Sequence, residues 1–149
     1  VLSMWVDGQA IHQEVIRTPG ISQLASCIAA IQSVRDWLLP IQRKVVGKVG
    51  IIAEGRDMGT RVFPSADVKF FLDAELEVRA NRRQRELGQQ GKVIDLKTVR
   101  NDMAVRDDRD RTRMVDPLRP APEAIMIDTS RPSLEEVVGH LMQFIADRL

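Results

Sequence analysis

Three short apolar runs constrain this chain most: VGIIA at 49–53, VKFFLDA at 68–74 and AIMID at 124–128. The first two are nearly continuous in apolar character rather than alternating, the pattern of strands covered on both faces in a parallel sheet. Between and around the runs the sequence turns helical. Residues 75–90 form a charged helical stretch that Gly88 and Gly91 are expected to break, and residues 96–113 resume the pattern. Ser133-Leu-Glu-Glu136 is a capping box, opening a last helix with Leu134, Val137, Val138, Leu141, Met142 and Ile145 at helical spacing. Strands alternating with helices predict an α/β fold with right-handed crossovers.

The N-terminal part reads differently. VLSMWVDGQAIHQEVI is short, β-prone and interrupted by Asp7-Gly8, so it predicts a hairpin, the end of a small sheet. Thr18-Pro19 then punctuates the chain, and a helix follows with Leu24, Ala25 and Ile28 on one face. Ser33 and Asp36 resemble a capping pair for a second helix reaching about Val45, which Pro40 should kink or split. Ser26 and Cys27 read as packed small residues, Trp5 and Trp37 as packing aromatics, and Arg35 as a solvent-exposed helix side chain.

A chain of 149 residues, 44% hydrophobic, can bury one ordinary core, with a small appendage. Its 22 basic and 21 acidic side chains leave a net charge of +1, which lacks the electrostatic footprint of a nucleic-acid binder. The single Cys27 cannot form an internal disulfide, and there is no signal segment or bilayer-long apolar run, so the expected setting is cytoplasmic. Because the chain opens with Val1 and strand-like residues, a missing N-terminal part is expected, with initiation near Met4 as the alternative.

Two polar clusters stand out. In IIAEGRDMGTRVFP, residues 51–64, an apolar run ends abruptly in Glu54-Gly55-Arg56-Asp57. Ligands of open parallel sheets bind outside the carboxyl ends of the strands, and an arginine fork beside an acid can hold a phosphate and a hydrogen-bond donor; a structural ion pair is the other reading. In RDDRDRTR, residues 106–113, a helix would put Arg106, Asp110 and Arg113 on one face and pair Asp107 with Arg111 on another. That face either grips an anionic, hydroxyl-bearing ligand or is solvated surface. The same two readings apply to Arg79, Arg82 and Arg83. His12 and His140 lack neighbours at metal-ligand spacing, so no metal site is expected. No glycine begins the G-x-x-x-x-G-K-[S/T] loop that cradles donor phosphates.

Taken in order, IRTPGISQLAS, VRDWLLPIQRK, EGRDMGTRVFPSADVKFFLDA, RRQRELGQQG, RDDRDRTR and DPLRPAPEAIMIDTS resemble the successive signatures of bacterial cytidylate kinase over essentially the whole chain. The resemblance implies an α/β, P-loop nucleoside-monophosphate-kinase-like parallel sheet flanked by helices, with the first strand and P-loop missing. It implies phosphoryl transfer from ATP to CMP and dCMP, with Mg²⁺, in the parent enzyme, this chain being an inactive fragment. By the same resemblance, Ser26, Arg35 and Asp57 contact the cytosine, Arg56 and Arg113 the nucleotide phosphate, and Arg106 and Asp110 the sugar hydroxyls. Arg79, Arg82 and Arg83 belong to the catalytic lid, and Arg17 lies near the acceptor. Residues 1–30 become the remainder of the CMP-binding insert and 31–149 the core, with a short lid around 79–95.

The implied partners are small molecules (CMP, dCMP and ATP), with no nucleic acid or membrane, in a monomer. Pro40 and Arg61 depart from the family pattern, standing where a helix former and a small apolar residue are expected. Two rivals are a non-catalytic nucleotide-binding remnant and an RNA-binding or protein-interaction module. The 4% aromatic content, with no tyrosine, argues against RNA.

Overall fold

The computed structural model describes residues 4–11, 16–44 and 50–148. The expectations for His12, for Val49 and for the end of the second helix at Val45 lie outside these residues.

Strands β1 (Met4–Val6) and β2 (Gln9–Ile11) pair antiparallel, with Trp5 opposite Ala10. The expected Asp7-Gly8 turn joins them. Both of its residues take positive φ, 50° and 77°, the conformation of a two-residue hairpin loop whose twist matches the strands. Helix α1 (Pro19–Ile28) starts where Thr18 accepts the Ile21 N–H and Pro19 occupies the first turn.

Helix α2 (Gln32–Arg43) corrects two expectations. Ser33 lies inside it; the N-cap is Ile31, without a side-chain bond, and Asp36 is taken by the Gln32 amide at 2.7 Å instead. Pro40 does not split the helix. A proline removes one intrahelical bond, but the last turn is held from outside, where Arg43 donates to the carbonyls of Arg61 and Val62 at 2.9 Å each.

A π-helix, Met58–Val62, follows the first polar cluster and was not legible in the sequence. Strand β3 (Phe70–Asp73) then pairs in parallel with β4 (Ile125–Asp128), Phe70 opposite Ile125 and Asp73 opposite Asp128. The crossover between them carries α3 (Leu76–Gln89) and α4 (Leu96–Thr112). Gly88 stays helical, and Gly91 at φ 75° ends α3. Asp95 caps α4 by accepting from the Thr98 N–H. The apolar core sits between these two helices: Ala80, Leu87 and Val99 are buried, with Ile94, Leu96 and Met103 against them.

Helix α5 (Leu134–Ala146) has both capping-box bonds, Glu136 N–H to Ser133 Oγ at 3.2 Å and Ser133 N–H to Glu136 Oε2 at 2.7 Å. Its apolar face is largely open. Val137 is buried and Phe144 meets Phe70 edge-on, whereas Leu134, Val138 and Met142 are exposed. No described helix is long and apolar enough to cross a membrane.

Other expectations also need correction. Residues 50–53 form no strand, and Ile52 is 98% exposed. Apolar character makes a strand only where a neighbour takes up its backbone hydrogen bonds, and none of the described residues lies beside this run as a partner. Trp5 and Trp37 are about two-thirds exposed rather than packed, and Cys27 is exposed while Ser26 beside it is buried.

Candidate functional site

Apart from Lys69, the buried polar side chains are drawn together by α1, the start of α2, the Arg56–Val62 stretch, α3, and the C-terminal half of α4 with the loop after it. Asp57 opens the π-helix, its carbonyl accepting the N–H groups of Arg61 at 2.9 Å and Val62 at 3.2 Å. Gly59 lets Lys69 pass close by: a Cβ there would sit 3.2 Å from the lysine Cδ. Lys69 itself is tied down by the Pro64 carbonyl and the Glu123 carboxylate.

At the centre is Asp110, 1% exposed. Its Oδ1 accepts the Ser26 hydroxyl proton at 2.8 Å. Its Oδ2 stands 3.4 Å from Arg56 Nε and 3.8 Å from Arg106 Nε, and Arg113 approaches Oδ1 at 3.9 Å. None of these three contacts is a hydrogen bond, so Asp110 Oδ2 and Arg106 Nε are both buried without a hydrogen-bond partner. Such an orphaned donor and acceptor are costly inside a protein unless something fills the gap between them.

Asp107, one helical turn earlier, is also buried. It receives Arg79 at 2.5 Å and lies 3.6 Å from Arg56. The pairing of Asp107 with Arg111 expected from the sequence is therefore replaced, because Asp107 faces α3 and the loop rather than its own helix surface. Arg35, expected in solvent, is likewise half-buried. Its guanidinium bonds to the Asp57 carboxylate, to Asp116 Oδ2 at 2.7 Å and to the Ala29 carbonyl at 3.2 Å. Arg113 donates Nε and Nη2 to the Asp116 carbonyl at 2.9 and 2.6 Å.

The electrostatics favour an anion. Six arginines (35, 56, 61, 79, 106 and 113) meet five aspartates (36, 57, 107, 110 and 116), leaving one surplus positive charge. Burial, then repulsion from Arg56, pulls the Arg106 pKa below its ordinary value; burial, then Arg35, does the same to Arg113. Arg35 behaves oppositely: burial lowers it, but the Asp116 hydrogen bond and the charges of Asp57 and Asp116 leave it raised. Two guanidinium groups are thus held charged against their surroundings, a condition that a bound anion relieves.

Beside the cluster opens a cavity of about 510 Å³, within the range of small-molecule sites. Its polar lining balances Arg17, Arg83 and Arg106 against Glu54, Glu86 and Asp102, with Ser22 and Gln23 between them. Arg83 reaches the Arg17 carbonyl at 2.9 Å and Glu86 at 2.7 Å. Arg82 stands apart from its two companions, bonded to Thr129 at the end of β4. The structure thus groups Ser26, Arg35, Arg56, Asp57, Arg79, Arg106, Asp110 and Arg113, sets Arg17 and Arg83 at the neighbouring cavity, and leaves Arg82 outside. Sequence reasoning gave Asp107 only a surface pairing with Arg111 and gave Asp116 no role. Asp116 opens the stretch DPLRPAPEAIMIDTS, and Asp-Pro is a turn-initiating pair, but neither assigns it a partner.

A family model described as cytidylate kinase matches residues 2–147. The cytidylate kinase of Carboxydothermus hydrogenoformans is 44% identical over 132 residues, 89% of this chain and 60% of that protein. The cytidylate kinase of Salmonella arizonae is 43% identical over 148 residues, 99% and 65% of the two chains. A bifunctional pantoate ligase/cytidylate kinase from Synechococcus sp. (strain JA-3-3Ab) is 44% identical over 140 residues, 94% of this chain and 26% of the larger protein. The chain spans about three-fifths of the length of the first two curated relatives it matches.

Proposed function

Since the chain belongs to the cytidylate kinase family, we propose that the cluster around Asp110 is the acceptor site of a nucleoside monophosphate kinase that takes CMP and dCMP, with ATP as phosphoryl donor. The observation that carries this reading is the orphaned pair, Asp110 Oδ2 and Arg106 Nε. A sugar hydroxyl is the group that suits both, since it donates to the carboxylate and accepts from the guanidinium. Arg56 and Arg113 neutralise the nucleotide phosphate, and Ser26, Arg35 and Asp57 read the cytosine edge. Arg79 and Arg83, with Arg82 behind them, belong to the lid around 79–95, and residues 1–30 complete the CMP-binding insert.

Phosphoryl transfer needs in-line positioning and charge neutralisation more than covalent help from the protein. The roles fit that chemistry. Arginines from α2, α3, α4 and the Arg56 loop hold one acceptor oxygen toward the donor and disperse the charge on the transferring group. Lid closure excludes water, which would otherwise compete as acceptor. Mg²⁺ accompanies ATP in this reading and offsets phosphate charge. Among the described residues no three His, Cys, Asp or Glu side chains gather into a metal-holding group, so these residues do not fit a protein-held ion and none of the roles above depends on one.

The test is calorimetric titration of the 149-residue chain with CMP, dCMP, UMP and AMP. CMP and dCMP binding about tenfold or more tighter than AMP supports the reading, since a site with buried polar groups rejects a base that leaves them unpaired. Equal, weak binding of all four sinks it.

A further inference from the structure

Arg61 is the departure from the family pattern that the acceptor-site reading does not absorb, and its surroundings point to a residue next to it in space. Its Nε lies 3.6 Å from Asp116 Oδ2 and its Nη2 3.7 Å from Asp36 Oδ1. The same Asp116 oxygen receives Arg35 Nε at 2.7 Å, while the Asp116 backbone carbonyl receives Arg113 twice. One residue therefore touches three arginines from three segments: α2, the π-helix and the end of α4.

Its backbone is built for the task. Asp116 has φ 43°, in the left-handed region that aspartate and asparagine tolerate and most side chains avoid. The following turn is closed by the Leu118 N–H on the Asp110 carbonyl at 2.7 Å. That bond ties the Asp116 loop to the residue at the centre of the site, and the unusual φ aims the carbonyl at Arg113 while the carboxylate faces Arg35. Arg35 and Arg113 are like charges brought close in a half-buried place. Asp57 restrains Arg35 from one side, and Asp116 restrains both.

Resting on the acceptor-site reading above, we propose that Asp116 is a positioning residue for base selection: before the nucleotide arrives its carboxylate holds Arg35, which reads the cytosine, while its carbonyl keeps Arg113 in place for the phosphate. Arg61 shares that carboxylate and so tunes how firmly Arg35 is held. Preorganisation of this kind acts on the nucleotide through the two arginines and not by contact.

The test compares Asp116→Asn and Arg61→Val with the parent chain, reading CMP and UMP affinity by calorimetry and folding by thermal melting. Asparagine keeps the left-handed turn and an acceptor for Arg35 but removes the charge. CMP affinity is expected to fall about tenfold, with the CMP-to-UMP ratio narrowing by about threefold. Arg61→Val, at a half-exposed position that disturbs no core, frees the carboxylate for Arg35 and is expected to widen the ratio. A uniform loss for CMP and UMP in Asp116→Asn overturns the proposal, because a merely structural residue would act so. An unchanged ratio in Arg61→Val overturns it if Asp116→Asn does not fold. Asp57→Ala serves as the control. Loss of CMP binding there with an unaltered Asp116→Asn rejects only the role of Asp116, whereas a parent chain that ignores CMP removes the acceptor-site reading and this proposal with it.

Discussion

Ser26 and Asp110 lie 84 positions apart in the sequence and 2.8 Å apart in the folded chain, hydroxyl to carboxylate, both buried. That bond is the buried one among those that fasten helix α1 to the arginine-rich helix α4, beside Gln23 on the Asp102 carbonyl and Arg109 on Gln23. It leaves the other oxygen of Asp110 facing Arg56 and Arg106 with no hydrogen bond. A serine that looks like packing in its own helix is thereby the orienting partner of the central carboxylate.

Replacing Ser26 by alanine removes that partner without adding bulk. A lost bond to a buried charged acceptor costs about 2 kcal/mol, so urea unfolding should show a destabilisation of that size. CMP affinity should drop with it, because Asp110 is then free to turn. Wild-type stability together with wild-type affinity would mean that the bond is incidental.

For Asp57, the sequence suggests a loop polar group whose loss spares the fold. The structure changes the magnitude: Asp57 is buried and pairs with a half-buried Arg35. Asp57→Ala should weaken CMP binding and also cost about 1–3 kcal/mol, less than a fully abandoned buried charge because Asp116 still holds Arg35. Denaturant melts and CMP titrations on the same preparation separate the two effects.

Leu87 tests the apolar core independently of any ligand. It is fully enclosed between α3 and α4 with Ala80 and Val99. Leu87→Ala should destabilise by about 2–3 kcal/mol, the lower part of the range for such truncations, since the cluster is small and its rim can relax. A change under about 0.5 kcal/mol, the scale of surface substitutions, would show that the helix pair is held by its charges instead.

Acid should loosen the starts of α4 and α5. The bond from the Thr98 hydroxyl, then its N–H, holds the Asp95 carboxyl below its ordinary value; the Ser133 N–H does the same for Glu136. Both groups bind a proton less readily folded than unfolded. Their contribution is therefore complete above the ordinary carboxylate range and is lost as pH falls through the depressed folded values. Melting temperature should decline from about pH 5 to pH 3, and the Asp95→Asn, Glu136→Gln double variant should decline less over that window. Parallel curves for the two proteins would contradict the assignment.

Much of the fold is written in local rules that act over a few residues. Asp7-Gly8 dictates its hairpin, Thr18-Pro19 and Ser133 with Glu136 dictate helix starts, and the strand-helix alternation from Phe70 to Ala146 dictates the parallel crossover. The order of motifs was likewise enough to identify the family. The partners of the charges were not. Asp107 had a candidate four residues away in Arg111 and chose Arg79, 28 residues distant; Arg35 left solvent for Asp57 and Asp116, 22 and 81 residues away. Nor did apolar character decide burial, as Ile52, Trp37 and the open face of α5 show. Sequence fixes what each segment can form through short-range sterics and hydrogen bonding. Which carboxylate meets which arginine, and which apolar face is covered, follows from how the helices pack, because desolvation and ion pairing depend on distances that exist only once the chain has closed on itself.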